Sequence, residues 1–211
     1  MTTGRLAAFL LTSAVVIAIP GPSVLFAVGR ALAAGRRVAV LSVIGNALGE
    51  YVQVIAVAFG AGALAEQSVA VFTTMKLIAG CYLIALGVRT FRRRREIAAA
   101  LAAPVDPAGD ARAFAQGLVV GATNPKTIVF LAAILPQFVT GTGAGIAPQI
   151  MFLGLLFVTI AVLSDTVWVL AASRLRSWLS GSPRRLEAVG GAGGIAIAAL
   201  GTGLLVTGRK S

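Results

Sequence analysis

Four ionisable side chains fall inside otherwise apolar runs of this chain: Glu50, Lys76, Lys126 and Asp165. A charge at mid-membrane costs at least about 2.5–3.5 kcal/mol on insertion scales, so such residues face a bundle interior or an aqueous path. Asp165, flanked by Leu163 and Val167, has the chemistry to bind a substrate ammonium or to carry a coupling proton. Glu50 fits the same role, or a structural ion pair with a lysine. Lys76 lies nearer the end of its run, where snorkelling to the interface accounts for it equally well. Two proline clusters add a second kind of chemistry: Pro20-Gly21-Pro22-Ser23 and Asn124-Pro125-Lys126-Thr127. Proline lacks an N–H and clashes with the preceding turn, so each cluster opens or restarts a helix. Asn at an N-cap followed by Pro is a strong helix start. Such a start presents unpaired N–H groups and about half a positive charge. Lys126 adds a cation there, and together these suit a carboxylate. For either cluster alone, a kink that merely shapes packing is the plainer reading.

The elements that carry these residues follow from composition. The 211 residues are 58% hydrophobic and 12% charged, with a mean hydropathy of +0.94. Soluble domains carry about 25% charged residues, and one soluble core of this size cannot hide so much apolar surface. A soluble enzyme, a disordered chain and a disulfide-stapled module are excluded. Apolar runs stand at about Leu6–Val28, Val38–Leu64, Val69–Val88, Phe114–Leu135, Ile150–Ala172 and Leu186–Val206. Each is long enough to cross about 30 Å of hydrocarbon as a helix, and lipid leaves the backbone no other partner than itself. The expected fold is an all-α integral membrane protein of six transmembrane helices, a single transporter domain over 1–211.

Charge sets the expected orientation. Connections one, three and five hold thirteen arginines (Arg30, Arg36, Arg37; Arg89, Arg92 to Arg95, Arg112; Arg174, Arg176, Arg184, Arg185), while the termini hold Arg5, Arg209 and Lys210. The positive-inside rule places those three connections in the cytoplasm and both termini outside. The net charge of +11 therefore reports orientation rather than nucleic-acid binding, for which no soluble basic domain exists. The third connection, about 92–112, contains the Pro/Gly-rich Ala103-Pro104-Val105-Asp106-Pro107-Ala108-Gly109-Asp110 and reads as a cytoplasmic linker. It divides the chain into halves of about 1–100 and 111–211. Three spans per half make the two halves inverted repeats, a common transporter design in which broken helices at matching positions mark the binding site. A cleaved secretory signal ending near Ile19 is a lesser reading, because no good cleavage site follows.

With no histidine and a single cysteine, Cys81, no dithiol relay, Cys/His zinc site or Ser-His-Asp triad is available. No cofactor and no metal are expected. Gly45 and Gly49 share one helix face and permit close packing, as do Gly80 and the glycines at 190, 191, 193 and 194; such faces permit a homodimer without requiring one. Asn46 and Gln53 add polar groups to the second span, and Tyr51 and Tyr82 have the character of interface anchors.

The chain resembles the LysE/RhtB family of bacterial amino-acid exporters. The resemblance rests on Pro20-Gly21-Pro22, Gly45-x-x-x-Gly49, Lys76-x-x-Ala79-Gly80-x-Tyr82-Leu83 and Gly87. Its most specific part is Thr123-Asn124-Pro125-Lys126-Thr127-Ile128-Val129-Phe130-Leu131 running into Leu135-Pro136-Gln137-Phe138, with Asp165 where an acid is common. It covers nearly the whole chain. Gln53 stands where many relatives have histidine, Glu50 adds an acid, and no tyrosine follows Asp165. The resemblance implies an inner-membrane secondary exporter of amino acids or related amines, driven by protons. The expected substrate-binding residues are Pro20, Gly21, Pro22, Ser23, Asn46, Asn124, Pro125 and Lys126, with Asp165 and Glu50 as ion-coupling groups. A cation exporter has a thin ligand set here. An intramembrane enzyme or assembly protein is the reading from another class, and an enzyme lacks an evident nucleophile–base pair.

Overall fold

In the computed structural model, residues 2–65, 69–102, 109–141 and 145–206 are described, apart from the side chains at 61–65, 69–72, 75, 76, 102 and 180. Residues 103–108 of the expected linker and the side chain of Lys76 thus lie outside the described residues. All regular structure among the described residues is helical. Helices α1 (Thr3–Ala18) and α2 (Pro22–Ala33) meet at a 51° bend. Then come α3 (Arg36–Ala65), α4 (Val69–Arg92) and α5 (Arg94–Ala102). The second half holds α6 (Asp110–Ala122), α7 (Pro125–Val129), α8 (Ile146–Arg174), α9 (Arg176–Ser180) and α10 (Pro183–Val206).

Four stretches of the described residues are long and apolar enough to cross a bilayer: Arg36–Gly60, Asp110–Phe138, Ile146–Arg174 and Pro183–Val206. The bent pair α1–α2 makes a fifth. The remaining expected span, Val69–Val88, falls within α4. Helix α5 occupies the first part of the stretch expected to link the halves.

The surface of these helices is inverted relative to a soluble protein. Leu11, Phe59, Ile78, Leu163, Val167 and Val206 are exposed, whereas Glu50, Lys126 and Asp165 are buried. Leu163 and Val167 point outward and Asp165 inward from the same helix, so α8 presents an apolar side to the surroundings. Two apolar clusters fill the interior. One gathers Phe9, Phe130 and Phe157 with Leu153 and Ile197; the other gathers Val24, Val28, Val43, Val169 and Leu186. Phe130 stacks on Phe157 at 4.6 Å between ring centroids, and Phe138 meets Phe9 edge-on at 5.4 Å. The polar residues lie where the clusters adjoin: Asn46 between Val43 and Ala47, and Asp165 between Ala161 and Val169.

Small residues bring the helices together. A Cβ on Gly45 or Gly49 of α3 would sit 2.1 or 2.2 Å from the carbonyl oxygens of Phe114 and Leu118 of α6. A Cβ on Gly117 or Gly121 would sit 2.1 or 2.0 Å from those of Ser42 and Asn46. Each Gly-x-x-x-Gly face is thus the seat of the other helix's backbone, which only glycine on both sides permits. Gly80 and Gly87 of α4 meet Gly201 and Gly194 of α10 in a similar way. These faces are used within the chain, so none of them is open to a second copy.

After α7 the fourth span widens into a π-helical segment, Phe130–Ile134, and tightens into a 3-10 turn, Leu135–Phe138. Pro136 is the cause within reach: it has no N–H for the carbonyl four residues earlier and its ring crowds that carbonyl.

Candidate functional site

The second helix break is held by its own asparagine. Asn124 caps α7, its Oδ1 accepting from the backbone N–H of Lys126 at 3.2 Å, with Pro125 in the first helical position. Its Nδ2 is left to point away from the cap. It donates to Ser23 Oγ at 3.0 Å and to Glu50 Oε1 at 3.2 Å. Thr127 Oγ1 donates to the same Glu50 oxygen at 2.9 Å. Gln53 Nε2 donates to the carbonyl oxygen of Gly121 at 2.7 Å, near where α6 stops, and lies 3.4 Å from that of Asn124, which also accepts from the N–H of Ile128 in α7.

Lys126 turns from the start of its own helix to the first break. Its Nζ donates to the carbonyl oxygens of Ile19 and Val16 at 2.7 and 3.2 Å. Those are carbonyls released where α1 ends, and a cation suits that negative end of the helix dipole. Lys126 therefore ties the first break to the second, across more than a hundred residues of sequence. Gly21 makes room for it: a Cβ there would stand 3.1 Å from Lys126 Cε. Helix α2 restarts with Gly21 as N-cap and Pro22 next, and no side chain caps it. Helical geometry leaves the N–H groups of Ser23 and Val24 without a partner inside the helix.

Ser42, Asn46, Glu50 and Gln53 form one buried stripe along α3, spaced at three and four residues as one helix face requires. Among the described residues, Asn46 Oδ1, Glu50 Oε2 and Gln53 Oε1 are buried oxygens without a hydrogen-bond partner. Asp165 is also buried and lies within electrostatic reach of Glu50 and Lys126. Three lone acceptors beside two acids and a lysine make an expensive arrangement in a low-dielectric interior. A ligand rich in N–H groups, or a proton on a carboxylate, would satisfy them.

Of the residues expected from sequence, Ser23, Asn46, Glu50, Asn124, Lys126 and Asp165 come together, and Gly21 and Pro125 shape the backbone around them. Pro20 abuts the last helix, its carbonyl oxygen 2.6 Å from where a Cβ of Gly193 would lie. Gly45 and Gly49 sit on the same face of α3 and bring α6 close. Gln53 and Thr127 belong to the cluster although the sequence, which offered both as neighbours of the expected site, did not place them among its residues. Position was the available signal: Gln53 is one turn beyond Glu50, and Thr127 lies in the first turn after the Asn-Pro cap. No group of three or more His, Cys, Asp or Glu side chains that could hold a metal ion occurs among the described residues.

Residues 14–208 match the family described as LysE type translocator. The homoserine/homoserine lactone efflux protein of Salmonella typhimurium is 31% identical over 182 residues, 86% of each chain. An uncharacterized membrane protein of Vibrio cholerae is 34% identical over 153 residues, 72% of this chain and 73% of its own. The threonine efflux protein of Escherichia coli is 26% identical over 191 residues, 89% of this chain and 91% of its own. No solved structure matches.

Proposed function

From this chain's membership of the LysE type translocator family, we propose that it is a proton-coupled secondary exporter of amino acids or small derivatives, homoserine among them, across the bacterial inner membrane. The observation that carries the reading is the meeting of the two helix breaks at one buried polar cluster, Ser23–Asn124–Glu50. The substrate carboxylate takes the free N–H groups at the start of α2, beside Pro22 and Ser23. The ammonium takes the acceptor oxygens of the α3 stripe, with Asn46 and Glu50 as its receptors. Asp165 faces the same cluster from α8 and, with Glu50, carries the coupling proton. Lys126 acts through the backbone it holds, keeping the carbonyl end of α1 in place and so the position of α2.

Six spans form two inverted halves in this reading, with connections one, three and five in the cytoplasm. Helix packing supports it. The first span (α1–α2) packs on α8, the fifth; the fourth (α6–α7) packs on α3, the second. Exchanging the halves turns each of these pairs into the other. The pairs α3–α8 and α4–α10 map onto themselves. Rocking one half against the other around the central cluster would then alternate its access.

The test is a panel of labelled amino acids, homoserine and homoserine lactone offered to proteoliposomes under an imposed pH gradient. Accumulation of at least one of them that collapses with the gradient is expected. Asp165→Asn should abolish the gradient-driven component at unchanged protein level, and normal proton-coupled transport by that variant would remove Asp165 from the mechanism.

A further inference from the structure

We propose that Arg30 is a second oxyanion-binding site, the first receptor for the substrate's carboxylate on its way in from the cytoplasm. This rests on the export reading above. Arg30 lies on α2 seven residues beyond Ser23, so by helical spacing both point to the same face, roughly 10 Å apart along the axis. The residue is 8% exposed. Its guanidinium is partly engaged: Nη2 donates to Gln116 Oε1 on α6, and the group lies over the ring of Phe26, 5.2 Å from its centroid. Nη1 is buried and has no partner among the described residues.

A guanidinium is permanently charged, and leaving one of its donors dry and unpaired is costly. No carboxylate neutralises it: the ion pairs among the described residues are Arg37–Asp110, Arg93–Glu96 and Arg95–Glu187. The charge nearby is instead a second cation, Arg112, within electrostatic reach and one turn before Gln116 on α6. Two cations kept close without a counter-anion, one of them buried with a donor to spare, are a receptor waiting for an oxyanion. Guanidinium binds a carboxylate through paired N–H groups. Gln116 fixes the fork and Phe26 supports its plane, so the receptor is set before the ligand arrives. From Arg30 the carboxylate passes along the α2 face to the free N–H groups at Ser23.

The test compares a substrate with its carboxylate-free counterpart: homoserine and homoserine lactone, each presented to the cytoplasmic face in inverted vesicles. Arg30→Gln should raise the half-saturating concentration of homoserine about tenfold and leave that of the lactone within about twofold. Arg30→Lys should fall between, keeping the charge without the fork. Arg112→Gln, at an exposed position, should shift homoserine alone in the same direction by a smaller factor, and serves if the Arg30 variants do not fold. Equal effects on both solutes, or none on either, would overturn the proposal. A lipid phosphate is the other oxyanion within reach. If Arg30→Gln affects both solutes alike and only in vesicles made with anionic lipid, the site holds lipid and the carboxylate assignment is wrong. Wild-type vesicles that move neither solute would instead refute the export reading on which the inference stands.

Discussion

At Pro20–Gly21 the chain turns by 51° and the helix that follows has no side-chain cap, whereas at Asn124 the helices on either side run on as one span, Asp110–Phe138. The second break carries its own cap, Asn124 on α7, and Gln53 of the first half donates to the Gly121 carbonyl beside it. The first break is stitched from the far half of the molecule, by the Lys126 ammonium on the Val16 and Ile19 carbonyls. Similar proline clusters thus yield a self-capped hub in one half and an uncapped bend held from outside in the other. A bend restrained by side chains of the opposite half, Lys126 on the α1 carbonyls and Asn124 on Ser23, is well suited to move when the halves shift.

That difference can be broken from both sides. Asn124→Leu should have the largest effect. It removes a helix cap, worth about 1 kcal/mol, strands the Ser23 oxygen at about 1–3 kcal/mol for a buried group left unpaired, and leaves Glu50 Oε1 with Thr127 as its donor. Thermal unfolding of the purified protein should fall steeply, and export should be lost with it. Lys126→Met should come next, at about 2–3 kcal/mol by the scale of charge-assisted bonds. Its signature is local: hydrogen exchange should rise at the end of α1 and the start of α2 and stay low at α7. A uniform rise would mean that Lys126 supports the hub as much as the bend. Ser23→Ala removes only an acceptor for Asn124 and should cost about 1 kcal/mol, while lowering substrate affinity. Gly21→Ala should be milder still, under about 1 kcal/mol, because only the flexible end of Lys126 must shift by a few tenths of an ångström. Arg37→Ala, which opens an exposed pair with Asp110, should change the unfolding temperature hardly at all.

Much of this architecture is legible in residue type and spacing. The membrane runs, both breaks and the buried acids follow from hydropathy, proline chemistry and the cost of charge in lipid. The face made by Gly45 and Gly49 is readable too, whereas its partner, Gly117-x-x-x-Gly121, emerges from the packing of α6 on α3. What spacing does not carry is who meets whom. Lys126 beside an N-cap suggests an anion site, yet its long side chain reaches past the cap to carbonyls that precede it by 107 and 110 residues. Gln53 and Thr127 enter the cluster through the close approach of α3 and α6, a property of two glycine faces acting together. Arg30 carries the ordinary sign of a cytoplasmic loop arginine in the sequence, and only the packing of α2 against its neighbours shows it buried with a free donor. The π-helical segment before Pro136 has a local cause, whereas the stacking of Phe130 on Phe157 joins residues 27 apart and is seen only in the packing.

The central claim is that the two breaks enclose the place where substrate sits. It is tested most directly by placing a single thiol there, Ser23→Cys in a Cys81→Ser background, and following its alkylation in inverted vesicles with and without homoserine. Labelling under turnover that slows as homoserine is added, over the same concentration range that saturates transport, is the expected result. A thiol that labels at one rate whatever the homoserine concentration, in vesicles still exporting it, would contradict the account.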